Sequence, residues 1–151
     1  MNAEQKTLSA LDKLGAEVAW NNSDGVESVY FNRVKITDAD LKYLKSLHGL
    51  KRLKLNHSPI TDAGLKRLEN LTSLVQLHLA DTAITDAGVA RLKNLVNLGF
   101  LDLSDTQVTD AGLEFLKSFE NFKTIRLTRA NVTERGVTKL KQALSGCKIT
   151  H

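Results

Sequence analysis

The sequence predicts an α/β solenoid, a chain wound into repeated strand-and-helix units, and three observations carry that prediction. The phrase "ITDAGL" at Ile60–Leu65 returns as "ITDAGV" at Ile84–Val89 and as "VTDAGL" at Val108–Leu113. Ile36, Ile60, Ile84, Val108 and Val132 follow one another at a constant spacing of 24 residues, and a fixed period of that order is the mark of a repeat architecture. Within each unit the apolar spacing switches from alternation to helical spacing, so the two halves belong to different secondary structures.

The strand half comes first. In "LVQLHLAD" (Leu74–Asp81) Leu77, His78 and Leu79 alternate, which suits a short strand with one buried side. Its leucines recur in columns, Leu53, Leu77, Leu101 and Ile125, then Leu55, Leu79, Leu103 and Leu127. The helical half follows. In "ITDAGLKRLENL" Thr61 is expected to N-cap the helix, with Asp62 in the positive first turn and Ile60 stapled onto Leu65. Leu65, Leu68 and Leu71 then share one helical face. Gly64, Gly88, Gly112 and Gly136 recur inside the helix at a cost of about 0.5–1 kcal/mol each relative to alanine, so close packing must exclude a side chain there. In the first unit Asp40 breaks that column.

These residues resemble the leucine-rich repeat family through "LxxLxL", seen in "LVQLHL" and "LGFLDL". "LDLSDTQVTDAGLEFL" is similar, more narrowly, to the 24-residue "TDAGL" subclass found in bacteria, notably planctomycetes. The resemblance covers Val26 to the end of the chain. It implies a right-handed solenoid with parallel strands on a concave face and helices on a convex one. Both ends need caps, because an open terminal repeat would leave its apolar face in water. Residues 1–35 supply an N-terminal cap and first strand: a helix over Ala3–Leu14, then "AEVAW", the turn "NNSDG" and "VESVYF" as a hairpin, with Trp20 filling the cap core. Four repeats occupy 36–131. Residues 132–151 form the C-terminal cap, a longer helix around Thr133–Leu144 followed by the strand "CKITH". In the family an asparagine after the strand ties adjacent turns together; Ser58, Thr82 and Thr106 stand in that column here. Ala130, also in it, cannot bond through its side chain, which implies a looser last turn.

Composition agrees with one globular domain over residues 1–151. The chain is 42% hydrophobic and 25% charged, without a Pro-, Gly- or Ser-rich linker. Neither a membrane-length apolar run nor a signal peptide is visible, so the chain as written reads as soluble and cytoplasmic, or as exported if a signal segment has been removed. Cys147 is the one cysteine, forms no internal disulfide, and is expected to pack as a small apolar group.

Function is sought in what varies between repeats. Residues between the core leucines form a grid on the strand face. Its first column is Ser28, Arg52, Gln76, Phe100, Thr124 and Lys148, and its second is Tyr30, Lys54, His78, Asp102, Arg126 and Thr150. A third holds Asn32, Asn56, Ala80, Ser104 and Thr128. No two rows are alike, as in a recognition surface. The candidate protein-binding residues are therefore Tyr30, Arg52, Lys54, Gln76, His78, Phe100, Asp102, Thr124 and Arg126, with Tyr30, Arg52, Phe100 and Arg126 as anchors by residue type. At about 4.8 Å between strands and 6.6 Å between alternate residues the grid spans about 570 Å². A standard interface takes about 800 Å² per partner, so a tight complex would recruit the loops at Arg33, His57, Asp81, Asp105 and Arg129.

A net charge of +4 and a basic composition raise nucleic acid as a rival partner. Against it, Arg33, Arg52 and Lys54 are followed by Asp81, Asp102 and Asp105 before Arg126, Arg129 and Lys148 return, an acidic band that a phosphate backbone would have to cross. The convex stripe of Lys45, Lys93, Lys117 and Lys141, with Glu69 between them, reads as a solvated helix surface. Enzymatic readings lack chemistry. His48, His57, His78 and His151 lie in different units or columns, each expected at the surface, and no metal-ligand spacing, CxxC, HExxH, nucleophile elbow or phosphate loop occurs. The column Asp38, Asp62, Asp86, Asp110 and Glu134 outlines a calcium ladder, but each carboxylate at its own helix N-terminus already explains its sign. The sequence therefore reads as a non-catalytic, monomeric protein-binding module without cofactor or metal. The alternatives are a basic solenoid that binds nucleic acid and a spacer or fragment of a larger exported protein.

Overall fold

The computed structural model describes residues 2–23, 25–32 and 34–151. It begins with α1 (Ala3–Lys13), capped by reciprocal bonds between Asn2 and Gln5. The hairpin strands β1 (Glu17–Trp20) and β2 (Val26–Tyr30) follow. Asn21 organises the turn between them by accepting the backbone N–H groups of Ser23 and Gly25. A strand and a helical segment then alternate. The first unit has only a 3₁₀ segment, Asp40–Ser46, before β3 (Arg52–Lys54). Next come α2 (Asp62–Leu65), β4 (Gln76–His78), α3 (Asp86–Arg91), β5 (Phe100–Asp102), α4 (Asp110–Leu116), β6 (Thr124–Arg126), α5 (Glu134–Ala143) and β7 (Lys148–Thr150). Helices α2 and α3 continue into 3₁₀ turns at Lys66–Leu68 and Leu92–Asn94, so the convex elements carry less α-helix than their leucine spacing suggests.

The strands form one sheet in sequence order. β1 lies antiparallel on β2, and β2 through β7 run parallel. The register places Val29, Leu53, Leu77, Leu101, Ile125 and Ile149 in one row, buried beneath the sheet with the leucines of the helical half. Ile60, Leu65, Leu68, Leu74, Leu77 and Leu79 are all fully buried, so a single 24-residue turn fills its own slice of a continuous core.

Adjacent turns are tied by carboxylates. The threonines N-cap the helices as expected, Thr61, Thr85 and Thr109 each accepting the N–H two residues on. The aspartate after each threonine, however, serves the next turn. Asp62 accepts the Thr85 N–H at 2.9 Å and its hydroxyl at 2.6 Å; Asp38, Asp86 and Asp110 repeat both bonds with Thr61, Thr109 and Thr133. This ladder also explains the glycines. A Cβ on Gly64, Gly88, Gly112 or Gly136 would collide with the carboxylate of Asp38, Asp62, Asp86 or Asp110 from the preceding turn. The first unit has no aspartate before it. Asp40 fills the gap from within, accepting the Thr37 N–H and hydroxyl at 2.8 Å each. At the far end Glu134 occupies the aspartate column and meets His151 at 2.9 Å.

The column occupied by asparagine in the family does something else here. Thr82 and Thr106 donate to the carbonyls of Leu79 and Leu103 in their own turns, at 2.6 Å each, and Ser58 Oγ is buried without a partner. Asparagines bridge turns elsewhere: Asn97 donates to the Thr72 carbonyl and Asn121 to that of Val96, both at 2.9 Å. The expectation for Trp20 is also corrected. Its register shifts by a bulge at Ala19/Trp20, and the side chain is 49% exposed instead of filling the cap.

Candidate functional site

The parallel register aligns the concave columns as the period demands. Ser28, Arg52, Gln76, Phe100, Thr124 and Lys148 are successive neighbours, and so are Tyr30, Lys54, His78, Asp102, Arg126 and Thr150. Their environments differ. Ser28 is fully buried and accepts the Arg52 Nε–H at 2.7 Å, while the same guanidinium reaches Glu27 at 2.5 Å beside the Tyr30 hydroxyl. Glu27 also holds Lys51 at 3.0 Å. The Lys51 ammonium, with Arg52 behind it, keeps the Glu27 carboxyl below its ordinary pKa. Arg52 therefore stands in one bonded group with Glu27 and Ser28 at the N-terminal end of the face, next to Tyr30.

At the centre Phe100 lies between side chains from the two flanking strands. The His78 ring on β4 is 4.5 Å away, tilted by 34°, and the Arg126 guanidinium on β6 lies 5.2 Å from its centroid. His78 is half-buried instead of a plain surface histidine. Burial pushes its pKa below the ordinary value, helped by Lys54 and Arg126 and opposed by Asp102. The Asp102 side chain is only 8% exposed; it accepts the Ser104 N–H at 3.0 Å and stands 3.7 Å from Arg126. Asp102 thus supports Arg126 from beneath, whereas the sequence places it on the surface. Gln76, Lys54 and Thr124 are half-buried around this centre.

The loops flank the face along one edge. His57, Asp81, Asp105 and Arg129 all adopt left-handed backbone, with φ between 53 and 59°. Neighbours pair across turns: His57 with Asp81 at 3.0 Å, and Arg129 with both oxygens of Asp105 at 2.5 and 2.6 Å. That bidentate contact holds the Asp105 carboxyl below its usual pKa. Each member of the acidic middle band is consequently engaged by a neighbour, Asp81 by His57, Asp102 by Arg126 and Asp105 by Arg129, and two of the three stand on the loop edge. Arg33, expected in the same column, lies outside the described residues. An open groove of about 680 Å³ follows this edge, lined by the four left-handed residues together with Ser58 and Thr106. Cys147 is partly buried against the core, and desolvation raises its thiol pKa. Among the described residues no cluster of His, Cys, Asp and Glu is arranged to hold a metal ion, and no helix is long and apolar enough to cross a membrane.

Residues 46–68, 70–93 and 96–117 match the family model described as Leucine Rich repeat, three consecutive units. No curated protein gives a sequence match. Among solved structures, an internalin (inlF) from Listeria monocytogenes is similar at 26% identity over 82% of this chain and 34% of that one, with a TM-score of 0.69. The LRR ectodomain of the receptor kinase SOBIR1 from Arabidopsis thaliana matches at 14% identity over 98% of this chain and 90% of that one, TM-score 0.61. PEPR1 in the PEPR1–AtPEP1 structure matches at 17% identity over 99% and 24% of the two chains, TM-score 0.60. The fold is that of a leucine-rich-repeat solenoid, and the chain spans about a third of the internalin and a quarter of PEPR1.

Proposed function

We propose that residues 1–151 act as one capped leucine-rich-repeat domain, a monomeric, non-catalytic module that takes a protein partner on its concave strand face. The observation that carries this reading is the His78–Phe100–Arg126 group at the centre of that face. The solenoid accounts for its buried leucines, its Asp–Thr ladder and its bridging asparagines without reference to this group. Phe100 shares its column with Ser28, Arg52, Gln76, Thr124 and Lys148, so no repeat requires an aromatic ring there. A half-buried aromatic ring flanked by an exposed arginine in a preformed arrangement has the residue types that interface hot spots favour. One of the similar structures is itself a complex, PEPR1–AtPEP1, which favours the same type of role. The Asp–Thr–Gly interplay is a physical reason for the "TDAGL" spelling and supports the resemblance to the 24-residue "TDAGL" subclass that we propose for the chain.

Affinity capture from a lysate of the source organism tests the reading. The wild type is compared with a variant carrying alanine at Tyr30, Arg52, Phe100 and Arg126, both checked by circular dichroism. A protein retained by the wild type and lost by the variant is the expected result. Retention of the same material by both would overturn the concave face as the site. Light scattering of the purified chain checks the monomer.

A further inference from the structure

Resting on that reading, we infer that the partner presents an extended acidic segment, laid across the strands with carboxylates against Lys54 and Arg126 and an apolar side chain between them beside Phe100. The charge of the concave face carries this. From β3 to β7 its cations are Arg52, Lys54, Arg126 and Lys148, and the one carboxylate is Asp102, whose side chain is 8% exposed beneath an Arg126 that is 53% exposed. Arg52 is committed to Glu27 and Ser28. Lys54, Arg126 and Lys148 carry no comparable close partner among the described residues, and together they give the centre and far end of the face a net positive field. A protein surface that covers them without supplying carboxylates would bury charge uncompensated.

Spacing sets the form of the segment. Lys54 and Arg126 share a column three strands apart, about 14 Å. An extended chain advances about 3.3 Å per residue, so acidic residues four apart reach both cations while the residues between them cross His78 and the shielded Asp102, beside Phe100 in the adjoining column.

The same cations could attract nucleic acid, but Phe100 is built for a side chain. His78 and Arg126 approach it from opposite flanking strands, at 4.5 and 5.2 Å, so a base stacking on the ring would have to compete with both. His78 supplies an independent readout. It is faced by Lys54, Asp102, Arg126 and the Phe100 ring, with a lowered pKa, so a bound carboxylate should raise that pKa and affinity should rise as pH falls through the His78 titration.

Selection of a displayed library of random dodecapeptides on the immobilised protein tests the proposal, with parallel selections on a Lys54→Glu/Arg126→Glu variant and on Phe100→Ala, and with oligothymidylate as the nucleic-acid probe. The expected result is enrichment of peptides with acidic residues four apart around an apolar one. Their binding should weaken about tenfold or more on charge reversal, and the His78 resonance of the complex should titrate at higher pH than that of the free protein. Enriched peptides without acidic bias, lost on Phe100→Ala but indifferent to charge reversal, would overturn the acidic occupant and leave the concave-face module standing. An empty selection, or oligothymidylate binding more tightly than any selected peptide, overturns the acidic segment as well.

Discussion

Asp110 and Gly136 show how one contact between turns fixes two residue types 26 positions apart in the chain. The Asp110 carboxylate accepts the Thr133 N–H and hydroxyl at 2.8 and 2.6 Å, and its atoms are the nearest that a Cβ on Gly136 would meet. Gly136→Ala should therefore destabilise the wild type. In an Asp110→Ala background it should be neutral or stabilise by about 0.5–1 kcal/mol, the helix propensity of alanine over glycine. Asp110→Ala alone should cost about 1–3 kcal/mol, and a double-mutant cycle in urea reads the coupling, with additive effects counting against the ladder. The hydroxyl and N–H of Thr133 lower the Asp110 pKa. Its stabilisation is therefore complete above the ordinary value near 3.8 and is lost as pH falls through the lower folded value, an acid-side slope that Asp110→Ala should reduce. Ser58 points the other way. Its buried hydroxyl has no partner where Thr82 and Thr106 bond the carbonyl three residues back, so Ser58→Thr should raise stability by about 0.5–1.5 kcal/mol, read as an upward shift in Tm. The sequence shows every member of these columns but not their pairing: the aspartate's position inside a first helical turn is a sufficient local explanation for its charge, and the bond to the next turn lies across a spacing that secondary-structure reasoning does not examine.

At the level of elements, periodicity is legible and irregularity is not. The strands and α5 fall where the leucine columns place them, with Thr133 and Leu144 bounding α5, and α1 falls where the resemblance to a family cap puts a helix. Helices α2 and α3 shorten into 3₁₀ turns while α4 stays α-helical over Asp110–Leu116 within the same repeat length, a difference that the shared leucine spacing does not express. Trp20 is the clearest failure. Alternation on β1 points it inward with Val18, but the bulge at Ala19/Trp20 turns it toward water. As the protein's one tryptophan it offers a direct check: its fluorescence should be red-shifted and readily quenched by acrylamide, and Trp20→Ala should change stability by less than about 1 kcal/mol. A blue-shifted, protected emission would return it to the cap core.

For the whole molecule, the candidate grid is legible because a strict period makes the strand register a matter of counting, whereas its electrostatics depend on side-chain burial that counting does not give. Asp102 tucked under Arg126, and Asp81 and Asp105 turned to His57 and Arg129, convert an apparent acidic band into a basic face with a paired edge. The repeat logic also separates architecture from recognition in one experiment. Deleting residues 84–107 joins Ala83 to Val108 in register. Asp62 then meets Thr109 in place of Thr85, Gly112 replaces Gly88 over its carboxylate, and β4 pairs with β6. A solenoid depends on nearest-neighbour interfaces, so this shortened chain should fold with reduced stability. Deleting 132–151 removes a comparable number of residues but strips Val137, Leu140, Leu144 and Ile149 from the last turn. At about 1.5–3 kcal/mol for each buried side chain, that loss amounts to about 6–12 kcal/mol, against a typical domain stability of about 5–15 kcal/mol. The capless chain should therefore be unfolded or aggregated by circular dichroism and light scattering, while the internally deleted one shows a cooperative thermal transition. Because the internal deletion also removes Phe100 and Asp102, it should fold without capturing the wild-type partner. Capture at wild-type strength by that shortened solenoid would place recognition away from the centre of the concave face.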